Sequence, residues 1–240
     1  MSAVVAIPAS EIHRVAIIDD DYIQAQTTGL NVEEANFEPF IIRADSRFER
    51  MEDLLTKLLE TGSQAVLCDN RLTPQGYAAF NGAGFLALLY DQKVMPSVLI
   101  TTYVDMDADE SIRRWRHKIP VLLDRDSAAN PEVLKRGVFE SARELRGEVS
   151  VERKPHRTLI RVTNVDKETK EPILDVIIPS WNPKRAVRFP LSLIKQEIQA
   201  DVQLGTRLFA QVNIGAEDPQ ELYFKDFELA PEPDSNDGLT

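Results

Sequence analysis

The 240 residues are 43% hydrophobic, enough to bury the core of one to two globular domains, which excludes wholesale disorder. No apolar run approaches the ~18 residues that a membrane helix needs, and Met1–Ser10 has no basic residue ahead of its short apolar stretch, so neither a membrane span nor a secretory signal is expected and the chain is read as cytoplasmic. The net charge of −11 argues against tight nonspecific binding to nucleic acid or an anionic membrane, and the single Cys68 can build neither an intramolecular disulfide nor a zinc site.

Hydrophobic period divides the chain near residue 150. Before it, short runs rich in Val, Ile and Leu occur at Val15–Ile18, Phe40–Ile42, Ala65–Cys68, Val98–Ile100 and Val121–Leu123. They lack polar alternation, as strands covered on both faces should. Between them the pattern predicts helices at Tyr22–Leu30, Arg47–Glu60, Gly84–Gln92, Asp109–His117 and Pro131–Arg146. In the second helix, Phe48, Met51, Leu54, Leu55, Leu58 and Leu59 fall on one face, with Ser46 and Glu49 as a capping box and Gly62 as a stop. Asn130 is an N-cap ahead of the first-turn Pro131. Strands alternating with helices imply right-handed crossovers, so residues 1–150 are read as a doubly wound α/β domain with a five-stranded parallel sheet.

Residues 151–157 are read as a linker, 158–230 as a small mostly-β domain, barrel or sandwich, and 231–240 as a disordered acidic tail. Strands are predicted at Leu159–Val165, Ile173–Ile178, Arg185–Phe189, Arg207–Ile214 and Leu222–Leu229, with one helical candidate at Leu191–Ala200. The basic stretch Arg113–Lys118 is read as a helix whose arginines pair with the acidic run Asp105–Glu110, with Trp115 half buried. The cluster Trp181–Arg185 with Arg188 is read as a solvated turn, the alternative being a binding loop at a barrel rim. His13, His117 and His156 are scattered and offer no transition-metal or Cys/His catalytic spacing.

In an open parallel sheet, ligands bind outside the carboxyl ends of the strands. Those ends carry Asp19-Asp20-Asp21 after the first strand, Asp69 after the third and Thr101-Thr102 after the fourth. Carboxylates converging from neighbouring strands repel unless a dication sits among them, which points to an oxygen-ligand site for Mg²⁺. Over about residues 12–146 the sequence resembles the receiver domain of two-component response regulators, on VAIIDDD (Val15–Asp21), AVLCDNRL (Ala65–Leu72) and PSVLITTY (Pro96–Tyr103). The resemblance implies a receiver/flavodoxin-like fold, with Asp19, Asp20 and Asp69 holding Mg²⁺, Asp69 as phosphoacceptor and Thr101 as the hydroxyl that contacts the phosphoryl group.

The sequence departs from that pattern in three places. Where receivers carry a lysine and then a proline after the fifth strand, this chain has Asp124-Arg125; Arg125 is the nearest cation, a planar fork rather than a point charge, and Asp124 is expected to add repulsion. Val121, Leu122 and Leu123 offer no aromatic switch residue. Pro74 stands five residues after Asp69 where four is usual, and Thr73–Ala83 is a long loop holding Gly76, Tyr77, Phe80 and Gly82. That loop is read either as a lid or docking element, or as an insertion with its aromatics tucked onto the domain.

Two functions follow. The first is a response regulator whose Asp69 takes phosphate from a histidine kinase or phosphotransfer protein, and whose β-rich domain passes the signal to a downstream protein partner. The second is a pseudo-receiver acting as a phosphorylation-independent interaction or dimerisation scaffold, a homodimer among its forms. A hydrolase is disfavoured because Arg71, not a carboxylate, stands two residues after Asp69. No helix-turn-helix pattern follows residue 150, so a DNA-binding output is not expected.

Overall fold

The computed structural model describes residues 11–101, 110–168 and 171–231. The acidic run ahead of Glu110 and the tail beyond Pro231 lie outside the described residues. The chain divides into two compact units, Met1–Ser150 and Val151–Thr240.

The first unit runs β1 (Arg14–Ile18), α1 (Tyr22–Glu34), β2 (Glu38–Ile41), α2 (Met51–Glu60), β3 (Ala65–Asp69), α3 (Gly82–Asp91), β4 (Ser97–Thr101), α4 (Glu110–Trp115), β5 (Val121–Asp124), α5 (Arg125–Ala128) and α6 (Pro131–Leu145). Its strands are parallel in the order β2-β1-β3-β4-β5, the doubly wound, flavodoxin-like arrangement. Each central strand sends alternate side chains to opposite faces. Ala16, Ile18, Val66, Cys68 and Leu99 join one apolar layer with Leu54 and Leu58 of α2 and Phe85 of α3. Val15, Ile17, Leu67, Val98 and Ile100 join the other with Ala25 of α1 and Val138 of α6. That double covering is why β1, β3 and β4 read as unbroken apolar runs.

Three expectations for this unit need correction. The edge strand β2 is not covered on both faces, alternating exposed and half-buried residues. Helix α2 starts at Met51 rather than Arg47, and its N-cap Arg50 makes no side-chain cap, so the Ser46/Glu49 box does not form. The cause is the long loop: the Phe48 N–H donates to the Tyr77 carbonyl and the Ala79 N–H to the Phe48 carbonyl, both at 2.9 Å, which holds residue 48 extended. Leu59 is 56% exposed and does not belong to the apolar face of α2. Arg113 and Arg116 are buried, and Arg116 donates to the Ile119 carbonyl; the acidic run with which these arginines are expected to pair lies outside the described residues. Gly62, at φ 66°, follows α2 as the left-handed stop that the sequence suggests.

The second unit is a single antiparallel sheet of β6 (His156–Asp166), β7 (Ile173–Ile178), β8 (Asn182–Pro190), β9 (Arg207–Val212) and β10 (Phe224–Leu229), ordered β10-β9-β6-β7-β8. A flat sheet would set its two edge strands about 19 Å apart. The ring centroids of Phe189 on β8 and Phe224 on β10 lie 4.7 Å apart, so the sheet is rolled into a barrel-like curl, and the sandwich alternative is excluded. The helical candidate after β8 is reduced to a 3-10 turn, Leu191–Leu193, and the short α7 (Gln196–Gln199). Residues 151–157, expected to link the units, are instead built into this one. The Arg153 carbonyl accepts from the Tyr223 hydroxyl at 2.7 Å, the Glu152 carbonyl from Asn213 Nδ2 at 3.0 Å, and β6 begins at His156. Trp181 is anchored through Nε1 to the Ala216 carbonyl at 2.7 Å rather than left in a solvated turn.

Candidate functional site

Strand order reverses at β1, which is flanked by β2 and β3, so the crevice for a ligand opens at the carboxyl ends of β1 and β3. Ile18 pairs with Cys68, which sets the next residues, Asp19 and Asp69, side by side. Asp20 completes the cluster, and one oxygen from each of the three carboxylates lies within 4.8 Å of the others. Asp19 and Asp69 are buried and Asp20 is half-buried. Thr101, also buried, ends β4 one residue beyond Ile100, the register partner of Asp69.

Each carboxylate is held from a different direction. The Arg71 N–H donates to Asp69 Oδ2 at 2.6 Å, the Asp21 N–H to Asp19 Oδ1 at 2.9 Å, and the Gln75 N–H to Asp20 Oδ2 at 3.0 Å. Arg125, the first residue of α5, reaches back across the crevice. Its Nη2 lies 2.7 Å from Asp69 Oδ1 and 3.0 Å from Asp19 Oδ2. Asp124 adds no repulsion there, contrary to expectation, because its carboxylate turns away to cap α5, accepting from the Ser127 N–H at 2.6 Å.

Burial pushes the Asp69 carboxyl up to about 6, with the charge of Asp19 adding to the effect and the Arg71 amide and Arg125 opposing it. Asp19 is raised as well, again chiefly by burial, against the Asp21 N–H and Arg125. The site holds three carboxylates and one guanidinium, a formal charge of −2 when all are ionised. Every partnered carboxylate oxygen keeps a second lone pair. Hard oxygen donors with that charge suit a dication of the Mg²⁺ type, so the residues present fit the ion that the sequence suggests.

The loop expected over Thr73–Ala83 ends at Asn81, the N-cap of α3, and forms one side of the site. Tyr77 is buried, its hydroxyl donating to the Ile42 carbonyl at 2.9 Å, and its ring lies 5.4 Å from that of Phe48. The aromatics are thus tucked onto the domain. A cavity of about 400 Å³ opens beside the carboxylates, lined by Asp19, Asp20, Tyr22, Arg43, Gln75 and Tyr77 among others. The backbone amides of Arg71 and Gln75 escape sequence reasoning, since any residue supplies an amide. Asp21 caps α1, accepting from the Ile23 and Gln24 N–H groups.

The first unit has the doubly wound, flavodoxin-like topology. Solved structures similar to the chain include the signal receiver domain of an HD domain-containing protein from Pseudomonas fluorescens, at 13% identity over 62% of this chain and 96% of that one with a TM-score of 0.43. A chemotaxis response regulator of Vibrio cholerae matches at 16% identity over 54% and 98%, with a TM-score of 0.40. The signal receiver domain of a modulated diguanylate cyclase from Desulfovibrio desulfuricans matches at 17% identity over 57% and 99%, with a TM-score of 0.44. No family model and no curated protein sequence matches the chain.

Proposed function

We propose that the first unit is a phosphoryl-accepting signalling module of the response-regulator type, with Asp69 as the acceptor. The observation that carries this reading is the convergence of Asp19, Asp20, Asp69 and Arg125 at the strand-order reversal, with the buried Thr101 on the adjoining strand. A site with no use for a cation has little reason to hold three carboxylates in one crevice.

In the proposed step, an Asp69 carboxylate oxygen attacks phosphorus of a phosphohistidine on a histidine kinase or phosphotransfer protein. The new O–P bond forms as the N–P bond breaks, and the imidazole leaves with the bonding pair, neutral because its other nitrogen carries the proton. Asp19, Asp20 and Asp69 are the residues that would hold Mg²⁺, which when bound supplies neutralisation of charge on the phosphoryl oxygens. Arg125 opposes the negative charge from the other side. The Thr101 hydroxyl serves as a donor to a phosphoryl oxygen. The Arg71 N–H fixes one Asp69 oxygen and so orients the carboxylate for attack.

The test is Mg²⁺-dependent labelling of the full chain by acetyl phosphate, read by intact mass, with Asp69→Asn as control. Labelling of wild type alone is the expected result. If wild type and Asp69→Asn behave alike, Asp69 is not the acceptor. One observation favours the second reading, a phosphorylation-independent scaffold: Arg125 already bridges Asp19 and Asp69 and so neutralises part of the site without metal. A scaffold requires partner binding to survive Asp19→Asn together with Asp20→Asn, whereas the phosphoacceptor reading requires labelling to be lost.

A further inference from the structure

The outer face of the second unit's sheet carries positive charge that its own carboxylates leave unmatched. Ile160 on β6 and Leu208 and Ala210 on β9 point into the core, so Arg157, Leu159 and Arg161 of β6 and Arg207 and Phe209 of β9 stand on the opposite face. The antiparallel register sets Leu159 against Phe209 and Arg161 directly against Arg207. Like charges directly opposite one another weaken a sheet.

Three of the acidic groups bordering this face are already engaged. Glu228 lies 3.0 Å from Arg157, while Asp166 and Asp175 lie 2.7 and 3.4 Å from Arg188. Among the described residues no carboxylate forms an ion pair with Arg161 or Arg207. Beside this central pair lie the half-buried Leu159 and Phe209, the latter with the Arg157 guanidinium 3.8 Å from its ring centroid. The surface therefore combines a two-guanidinium centre open to an anion with an apolar shelf one step along the strands.

We infer that this face binds an extended acidic peptide segment of a partner protein, with a carboxylate between Arg161 and Arg207 and an apolar side chain over Leu159 and Phe209. Charge complementarity selects the anion. The peptide is favoured over a nucleic-acid strand for two reasons. Arg157 already covers Phe209, the aromatic on which a base would stack, and the net charge of −11 opposes a polyanion that must displace counterions along its length. The inference is independent of phosphoryl transfer at Asp69.

The test uses the labelled full-length protein on an array of short peptides in which Asp or Glu alternates with Leu or Val, beside counterparts carrying Lys in the acidic positions. Retention on the acidic peptides is expected, weakened by added salt. Arg161→Glu or Arg207→Glu should reduce it on the order of tenfold or more, with Lys57→Glu in the first unit as the charge control. Arg207→Glu should melt no lower than wild type, because a glutamate there faces Arg161. Loss of binding without loss of stability separates a binding role from a structural one. Equal retention on acidic and Lys peptides, or retention untouched by both substitutions, overturns the proposal. So does tighter binding of a short oligothymidylate, or a dimer in sedimentation that Arg161→Glu dissolves, which would make the occupant nucleic acid or a second copy of the chain.

Discussion

Asp69 meets two opposed demands. As a nucleophile it must be ionised, yet burial and the neighbouring Asp19 raise its carboxyl to about 6. In the metal-free protein Asp69 should therefore gain its proton as pH drops through about 6, and a side-chain carboxyl chemical shift that stays flat from pH 5 to pH 8 would show that burial does not raise it. The same shift has a consequence for stability. Because the native carboxyl keeps its proton where the unfolded chain, at about 3.8, has lost it, stability falls with rising pH between those two values and stays reduced above them. Asp69→Asn removes the charge and should make the metal-free protein roughly 1–3 kcal/mol more stable at neutral pH, measured by urea unfolding. Arg125→Ala should do the reverse, costing roughly 1–3 kcal/mol by leaving Asp19 and Asp69 without their shared guanidinium. Equal stabilities for the two variants would mean that repulsion does not dominate the site. The aspartates were legible in the sequence because a residue directly after a buried strand has one place to go. Asp124 was not, because its direction depends on α5 starting at the very next residue, a turn with no apolar pattern to announce it.

Among the elements, the junction of β3 and α3 sets the position of Asp69. The Gly82 N–H donates to the Asn70 carbonyl at 2.9 Å, and a Cβ at residue 82 would lie 2.0 Å from the Asp69 carbonyl oxygen and 2.8 Å from Cys68 Sγ. Neither neighbour is the free end of a flexible side chain, so Gly82→Ala must push the start of α3 away from the end of β3. Destabilisation of about 1–3 kcal/mol is expected, with loss of Mg²⁺-dependent labelling because the acceptor moves with its strand. A variant that melts and labels like wild type would show that the junction is not this tight. The strand runs are legible because parallel strands buried on both faces need unbroken apolar sequence, whereas the start of α2 is not. A capping box at Ser46 and Glu49 is a local signal, and it loses to the non-local pairing of Phe48 with Tyr77 and Ala79, which the sequence around residue 48 does not contain. The length of the Thr73–Ala83 loop is thus explained by what it holds: the extended segment before α2 on one side and the Asp20 carboxylate on the other.

At the scale of the whole molecule, the two tryptophans fall one in each unit, Trp115 in the first and Trp181 in the second. Fluorescence of Trp181→Phe therefore reports unfolding of the unit that holds the three carboxylates. With a chain charge of −11, any salt screens general repulsion, so the informative comparison is Mg²⁺ against a monovalent salt of equal ionic strength. A dication bound only to the native cluster adds RT ln(1 + [L]/Kd), roughly 2.7 kcal/mol at a hundredfold excess over Kd, whereas screening alone gives the same shift with either salt. Millimolar Mg²⁺ should raise the melting midpoint seen by Trp115 beyond the monovalent control, and Asp20→Asn should abolish the difference while raising the metal-free midpoint. This outcome requires Asp19, Asp20 and Asp69 to act as one site, since a single exposed aspartate would neither bind the ion at that concentration nor gain stability on losing its charge. If the midpoint does not distinguish the two salts and Asp20→Asn is less stable than wild type, the carboxylates are not repelling one another around a cation site. The doubly wound fold would then stand without a working centre, leaving the scaffold reading as the one its first unit supports.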